Sequence, residues 1–143
     1  MTLEKLSCCK VNLLLNILGK RPDGFHELET VMHPVKVCDR LDISRGGPGI
    51  QLTCSDVRLP TGEQNLVCRA AAAFRQAIGA KDGVRIHLEK RIPLAAGLGG
   101  GSSNAAATLV GLNELFGCPL LQEPLHQVAA ALGSDVPFFL QDK

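Results

Sequence analysis

The stretch PLAAGLGGGSSNAAATL, from Pro93 to Leu109, constrains the fold more than any other part of the chain. Four glycines and two serines run directly into an alanine-rich segment suited to a helix. Ahead of them, VRIHLEKR alternates Val84, Ile86 and Leu88 against Arg85, His87 and Glu89, the two-residue repeat of a half-buried strand. The order is therefore strand, bare loop, helix. The first amides of a helix lack intrahelical partners, and the aligned peptide dipoles leave roughly half a positive charge there, so an anion is welcome. Glycine lets a phosphate approach the backbone closely. Ser102 and Ser103 are placed to cap the helix, or to turn a hydroxyl toward phosphate or a magnesium ion. A glycine loop alone also serves as a plain connector, but a strand before it and a helix after it are what an anion-binding turn requires. The Walker A pattern fails because no lysine stands between the glycines and the serines. A dinucleotide fingerprint fails where Ser102 occupies the place of its third glycine.

Elsewhere the pattern is β-rich first and helical later. From Lys10, the residues Val11, Leu13, Leu15 and Ile17 take one strand face, and Lys10, Asn12 and Asn16 the other. A turn through Pro22, Asp23 and Gly24 leads to extended segments near ELETVMHPV, DRLDIS and GIQLTC. Asn65 precedes LVCRAAAAFRQAI, whose Leu66, Ala70, Ala73, Phe74, Ala77 and Ile78 fall at helical spacing before Gly79. Leu109, Leu112 and Phe116 make a stripe ending at Gly117, and another helix has Pro124 in its first turn and Gly133 after it. Pro137 biases Val136 toward an extended conformation, which leaves Asp135 at the mouth of the apolar run FFL.

At 143 residues the chain suits a single domain. A hydrophobic content of 45% argues against disorder, and a net charge of +1 with five Phe and neither Tyr nor Trp argues against nucleic acid as the main partner. No apolar run approaches the ~20 residues of a membrane span. Lys5 and Lys10 before VNLLLNIL look superficially like a signal sequence, but Asn12 and Asn16 interrupt it, so a cytoplasmic location is expected. The six cysteines contain no C-x-x-C pair and read as reduced, mostly buried thiols.

Three stretches, CCKVNLLLNILGKRPDGFHELET, PLAAGLGGGSSNAA and GSDVPFFL, resemble in order the motifs of the GHMP kinases, the superfamily of galactokinase, homoserine kinase, mevalonate kinase and phosphomevalonate kinase. The resemblance covers nearly all of the chain, and is strongest to members that phosphorylate a methylerythritol hydroxyl on a cytidine diphosphate conjugate. It implies an α+β fold, a mixed β-sheet packed by helices with a left-handed βαβ crossover. Residues 1–143 would be the N-terminal, ATP-binding and catalytic domain, and the family continues into a second domain where this chain stops after FFLQDK. A fragment of that kind is expected to fold, to self-associate through the face the second domain would cover, and to turn over weakly or not at all.

The resemblance also implies site roles. Asp135 matches the proposed general base on the substrate hydroxyl, and Lys10 the lysine beside it, whose ammonium stabilises charge developing at phosphorus. Asn12 matches a substrate-positioning residue, while Phe25 and His26 match the pair that holds cytosine by stacking and hydrogen bonding. The family commonly has Tyr at the position of Phe25, so a hydroxyl contact is lost, and it has Pro-Ala where Cys8 and Cys9 stand here. Pro93, Leu94, Ala95, Ala96, Gly97, Leu98, Gly99, Gly100, Gly101, Ser102 and Ser103 would cradle the ATP phosphates, with Asn65 and Lys90 near the adenine. Mg2+ is expected, and Ser102 and Ser103 are alternative matches to the serine that meets the metal in some relatives. Read one at a time, Lys10 is an exposed strand lysine, Asp135 a turn former and Asn65 an N-cap. The alternative is a non-catalytic nucleotide- or RNA-binding module of similar topology, for which Lys10, Lys20, Arg21, Lys90 and Arg91 offer basic surface.

Overall fold

A computed structural model describes residues 2–20, 26–93 and 100–140, with side chains for 2–9, 37–93 and 100–140. Four strands, β1 (Thr2–Lys20), β2 (His26–Arg45), β3 (Ile50–Cys54) and β4 (Val84–Glu89), form one sheet in the order β1-β2-β4-β3. The β1/β2 and β2/β4 ladders are antiparallel, whereas β3 and β4 run parallel with helix α1 (Leu66–Ile78) between them in sequence. The mixed sheet that the resemblance implies is therefore present.

Both long strands exceed what the alternation alone indicated. β1 begins at Thr2, well before Lys10, and ELETVMHPV and DRLDIS belong to the one strand β2. The expected two-residue repeat over Lys10–Ile17 is also broken, because Leu14 pairs with Thr30 and Asn16 with Glu29, leaving one extra residue on β1. A second irregularity lies where Cys8 faces Cys38 but Lys10 faces Pro34, so β2 spends two more residues than β1. Pro34 has no amide to give to a regular ladder, and a bulge is where such a residue is tolerated.

One face of the sheet is apolar. Leu41 and Ile43 on β2, Leu52 on β3, and Val84, Ile86 and Leu88 on β4 are buried beneath the helices. α1 carries Asn65 as N-cap, whose side chain accepts from Val67 N, and ends at Gly79 in the left-handed region, as the sequence indicated. Helix α2 (Gly100–Leu115) occupies the centre: Ala105, Ala106, Ala107, Leu109 and Leu112 are fully buried between the sheet and the remaining helices. A helix enclosed on most sides favours small residues, which explains its alanine run. Gly111 lets it press onto the sheet, since a Cβ there would come within 2.6 Å of Ile43 Cδ1. Helices α3 (Gln122–Leu132) and α4 (Val136–Leu140) complete the outer layer.

Three expectations are corrected. Val136 and Pro137 open helix α4 instead of extending, because proline costs nothing in a first turn and the fully buried Val136 is held by packing. The loop serines do not precede a helix; α2 already begins at Gly100, so Ser102 and Ser103 lie inside its first turn. The cysteines are not all free thiols: Cys8 and Cys38, opposed across β1 and β2, form a disulfide, while Cys9, Cys54, Cys68 and Cys118 are free. That pairing follows from a strand register no spacing rule contains.

Candidate phosphate-binding site

The polar centre of the molecule lies where β1, β2, the segment after β4 and the start of α2 meet. Ser7 and Asp39 are cross-strand partners, both fully buried on the inward face of the sheet. Asp39 Oδ1 accepts from the backbone amides of Arg91 (2.6 Å) and Ile92 (2.8 Å). Its Oδ2 accepts from Lys90 Nζ (2.6 Å) and Asn104 Nδ2 (2.9 Å). Lys90 Nζ also donates to Asn104 Oδ1 (3.2 Å), and Asn104 Nδ2 to Ser7 Oγ (2.7 Å). Ser7 Oγ in turn donates to Ser103 Oγ at 2.8 Å. Desolvating an ion pair is compensated only when its remaining hydrogen-bonding capacity is met, and four donors on one carboxylate meet it.

This network forms the wall of a cavity of about 220 Å³ lined by Leu59, Pro60, Gln64, Asn65, Leu66, Lys90, Gly101 and Asn104. Leu59, Pro60 and Leu66 give it an apolar side, and Lys90 with Asn104 a polar one. Asn65 ties the two together, because its Nδ2 donates to Pro60 O (2.9 Å) while its Oδ1 caps α1. The turn just before Leu59 and Pro60 is closed locally by Asp56, whose carboxylate accepts from the backbone and guanidinium of Arg58. Those bonds hold the Asp56 carboxyl at about 2. At the other end, Lys90 Nζ lies 3.4 Å from where a Cβ on Gly100 would stand, which sets an ammonium beside the positive end of α2.

The structure thus brings together Asn65, Lys90, Gly100, Gly101 and Ser103 of the residues singled out from sequence. Ser103 is turned inward and fully buried, whereas Ser102 remains partly exposed. Pro93 is exposed at the end of the segment after β4, and Leu94, Ala95, Ala96, Gly97, Leu98 and Gly99 lie outside the described residues. Lys10 and Asn12 stand in β1 opposite Pro34 and Met32, and His26 begins β2 opposite Lys20. The side chains of these three, and all of Phe25, fall outside the described set, so the meeting of Lys10 with Asp135 does too. Asp135 is exposed in the turn that precedes α4. Among the described residues there is no cluster of three or more His, Cys, Asp or Glu side chains able to hold a metal, and no helix is long and apolar enough to cross a membrane.

Asp39, Asn104 and Ser7 were not singled out from sequence. Asp39 did leave a trace: it shares the two-residue repeat of Leu41 and Ile43, an acid in the apolar register of a strand.

A mixed sheet under a central helix, whose glycine-rich start lies beside the buried Lys90 ammonium, defines an α+β domain. The chain belongs to the GHMP kinases: the family model described as GHMP kinases N terminal domain matches residues 65–143. Over 142 residues it is 46% identical to 4-diphosphocytidyl-2-C-methyl-D-erythritol kinase of Geobacter sp. (strain M21), covering 99% of this chain and 51% of that protein. The kinase of the same name from Syntrophus aciditrophicus (strain SB) is 50% identical over 138 residues, covering 96% of this chain and 50% of that protein. A crystal structure of 4-(cytidine 5'-diphospho)-2C-methyl-D-erythritol kinase superposes with a TM-score of 0.78 at 43% identity, over 99% of this chain and 50% of that one. Mevalonate kinase of Methanococcus jannaschii shares the fold, with a TM-score of 0.69 at 13% identity over 96% of this chain and 47% of its own. The chain spans about half the length of the curated relatives it matches.

Proposed function

We propose that this chain is the nucleotide-binding and catalytic half of a kinase that transfers the γ-phosphoryl group of ATP to the 2-hydroxyl of 4-diphosphocytidyl-2-C-methyl-D-erythritol, a step of non-mevalonate isoprenoid biosynthesis in the cytoplasm. The observation that carries the reading is the cavity in which Asn65 and Lys90 meet the glycine-rich start of α2. At about 220 Å³ it is small against the roughly 300–1,000 Å³ of pockets for whole drug-sized ligands, and it suits one part of a nucleotide, the base. The polyphosphate would then run along the main-chain N–H groups between Pro93 and Ser103.

In this reading Asp135 accepts the proton of the substrate hydroxyl as its oxygen bonds to the γ-phosphorus and the bond to the leaving ADP breaks. Lys10 stabilises the charge that develops on the transferred group. Asn12 positions the substrate, and Phe25 with His26 holds its cytosine. Mg2+ would neutralise phosphate charge, and Ser102 would be the serine to hold it, because Ser103 is fully buried and accepts from Ser7.

Two measurements test the proposal. ATP with Mg2+ should raise the melting temperature of this chain, and absence of any shift at millimolar nucleotide rejects the nucleotide site. In a polypeptide carrying both halves of the kinase, mass spectrometry should detect the phosphorylated product, and Asp135→Asn should abolish it. Full activity in that variant removes Asp135 from the role of base.

A further inference from the structure

The buried carboxylate of Asp39 touches no surface of the cavity, yet it holds both things the cavity needs. One oxygen fixes the Arg91 and Ile92 amides where the chain leaves β4 for the glycine loop, and the other fixes Lys90 Nζ at the cavity wall. Lys90 and Asp39 are nearly sealed from solvent, with side chains 5% and 0% exposed. We propose that Asp39 is the positioning residue of the nucleotide site, setting the Lys90 ammonium and the first peptide units of the phosphate loop as one rigid unit. The proposal rests on the nucleotide reading above. Asn104 is the second member of that unit, since it receives Lys90 on its oxygen and bridges Asp39 to Ser7 with its nitrogen. Through Ser7 and Ser103 the same bonds join the strand that carries Lys10 to the first turn of α2.

The bonding pattern predicts a specific rescue. In Asp39→Asn the new amide oxygen still serves the Arg91 and Ile92 amides, but its NH2 group faces two other donors, Lys90 Nζ and Asn104 Nδ2. Lys90 then loses its anchor. Adding Asn104→Asp restores complementarity: the carboxylate introduced at position 104 would accept from Lys90 and from the new amide at position 39. Ser7 would turn its hydroxyl to donate to that carboxylate while accepting from Ser103. Every buried donor again has an acceptor, with the negative charge moved one side chain along.

The test is titration of this chain with ATP and Mg2+, comparing the parent, Asp39→Asn, and the double variant Asp39→Asn with Asn104→Asp, each first shown folded by circular dichroism. The single variant should bind ATP roughly ten- to a hundredfold more weakly, as expected for losing a hydrogen bond to a charged group. The double variant should return to within about threefold of the parent, a recovery that ordinary structural damage would not give. Amide exchange should show Arg91 and Ile92 protected in Asp39→Asn and exposed in Asp39→Ala. Unchanged affinity in Asp39→Asn, or a double variant that fails to fold or binds no better than the single one, overturns the proposal. A parent chain that binds no ATP overturns the nucleotide reading itself, and the proposal with it.

Discussion

Single side chains here do two jobs at once, and Asn65 is the plainest case. Its oxygen caps α1 and its nitrogen holds Pro60 against the cavity. Asn65→Ala removes both, and loss of an N-cap alone costs about 1 kcal/mol. Chemical denaturation should show that loss, and ATP binding should weaken further because the Leu59–Pro60 wall is released. Asp56 makes the same point through pH. Bonds to Arg58 hold its carboxyl at about 2, below its ordinary value of 3.8. A carboxyl depressed on folding contributes stability that is complete above the ordinary value and is lost as pH falls through the depressed one. The Asp56–Arg58 turn should therefore stay closed at neutral pH and loosen between about pH 4 and pH 2. NMR titration of the Asp56 carboxyl and the Arg58 amide together checks this, and a midpoint near 4 would refute it.

At the scale of elements, legibility depended on whether a signal was local. α1 was readable because its cap, its apolar spacing and its terminal glycine all lie within one stretch of chain. β4 was readable for the same reason. The bulges in β1 and β2 were not, because an extra residue exists only relative to the partner strand. The helical state of Val136 and Pro137 escaped for a related reason, since packing outweighed a local bias. Likewise, loop glycines drew attention by their number, whereas the two that govern element packing are isolated in sequence. At Gly83 a Cβ would fall 1.8 Å from the backbone oxygen of Gly47, and backbone cannot step aside. Gly83→Ala should cost more than about 3 kcal/mol, whereas Gly111→Ala, which meets the side chains of Ile43, Lys5 and Leu3 and no backbone, should cost about 1–2 kcal/mol. Urea unfolding of the two variants should reproduce that order.

For the molecule as a whole, the covalent tie adds to what the apolar core supplies. Cys8 and Cys38 bridge 30 residues of chain and join β1 to β2 one residue from the Ser7 and Asp39 pair, so the cross-link and the buried polar network brace the same junction. Cross-linking a loop of that length removes denatured-state entropy worth roughly 3–4 kcal/mol on the chain-entropy model. That is a large share of the roughly 5–15 kcal/mol that keeps a domain folded. Cys9, its neighbour, is no competitor: it lies buried on the opposite face, and burial pushes its thiol above the ordinary range, so little thiolate forms at neutral pH. Peptide mapping of oxidised protein should accordingly find Cys8 joined to Cys38 and Cys9 reduced. Reductant, or the double substitution Cys8→Ser with Cys38→Ser, should lower the urea midpoint substantially and by similar amounts, while Cys9→Ser leaves the response to reductant intact. If reductant leaves the midpoint where it was, the β1–β2 junction is held by its hydrogen bonds and packing alone, and the cysteines contribute nothing to its stability.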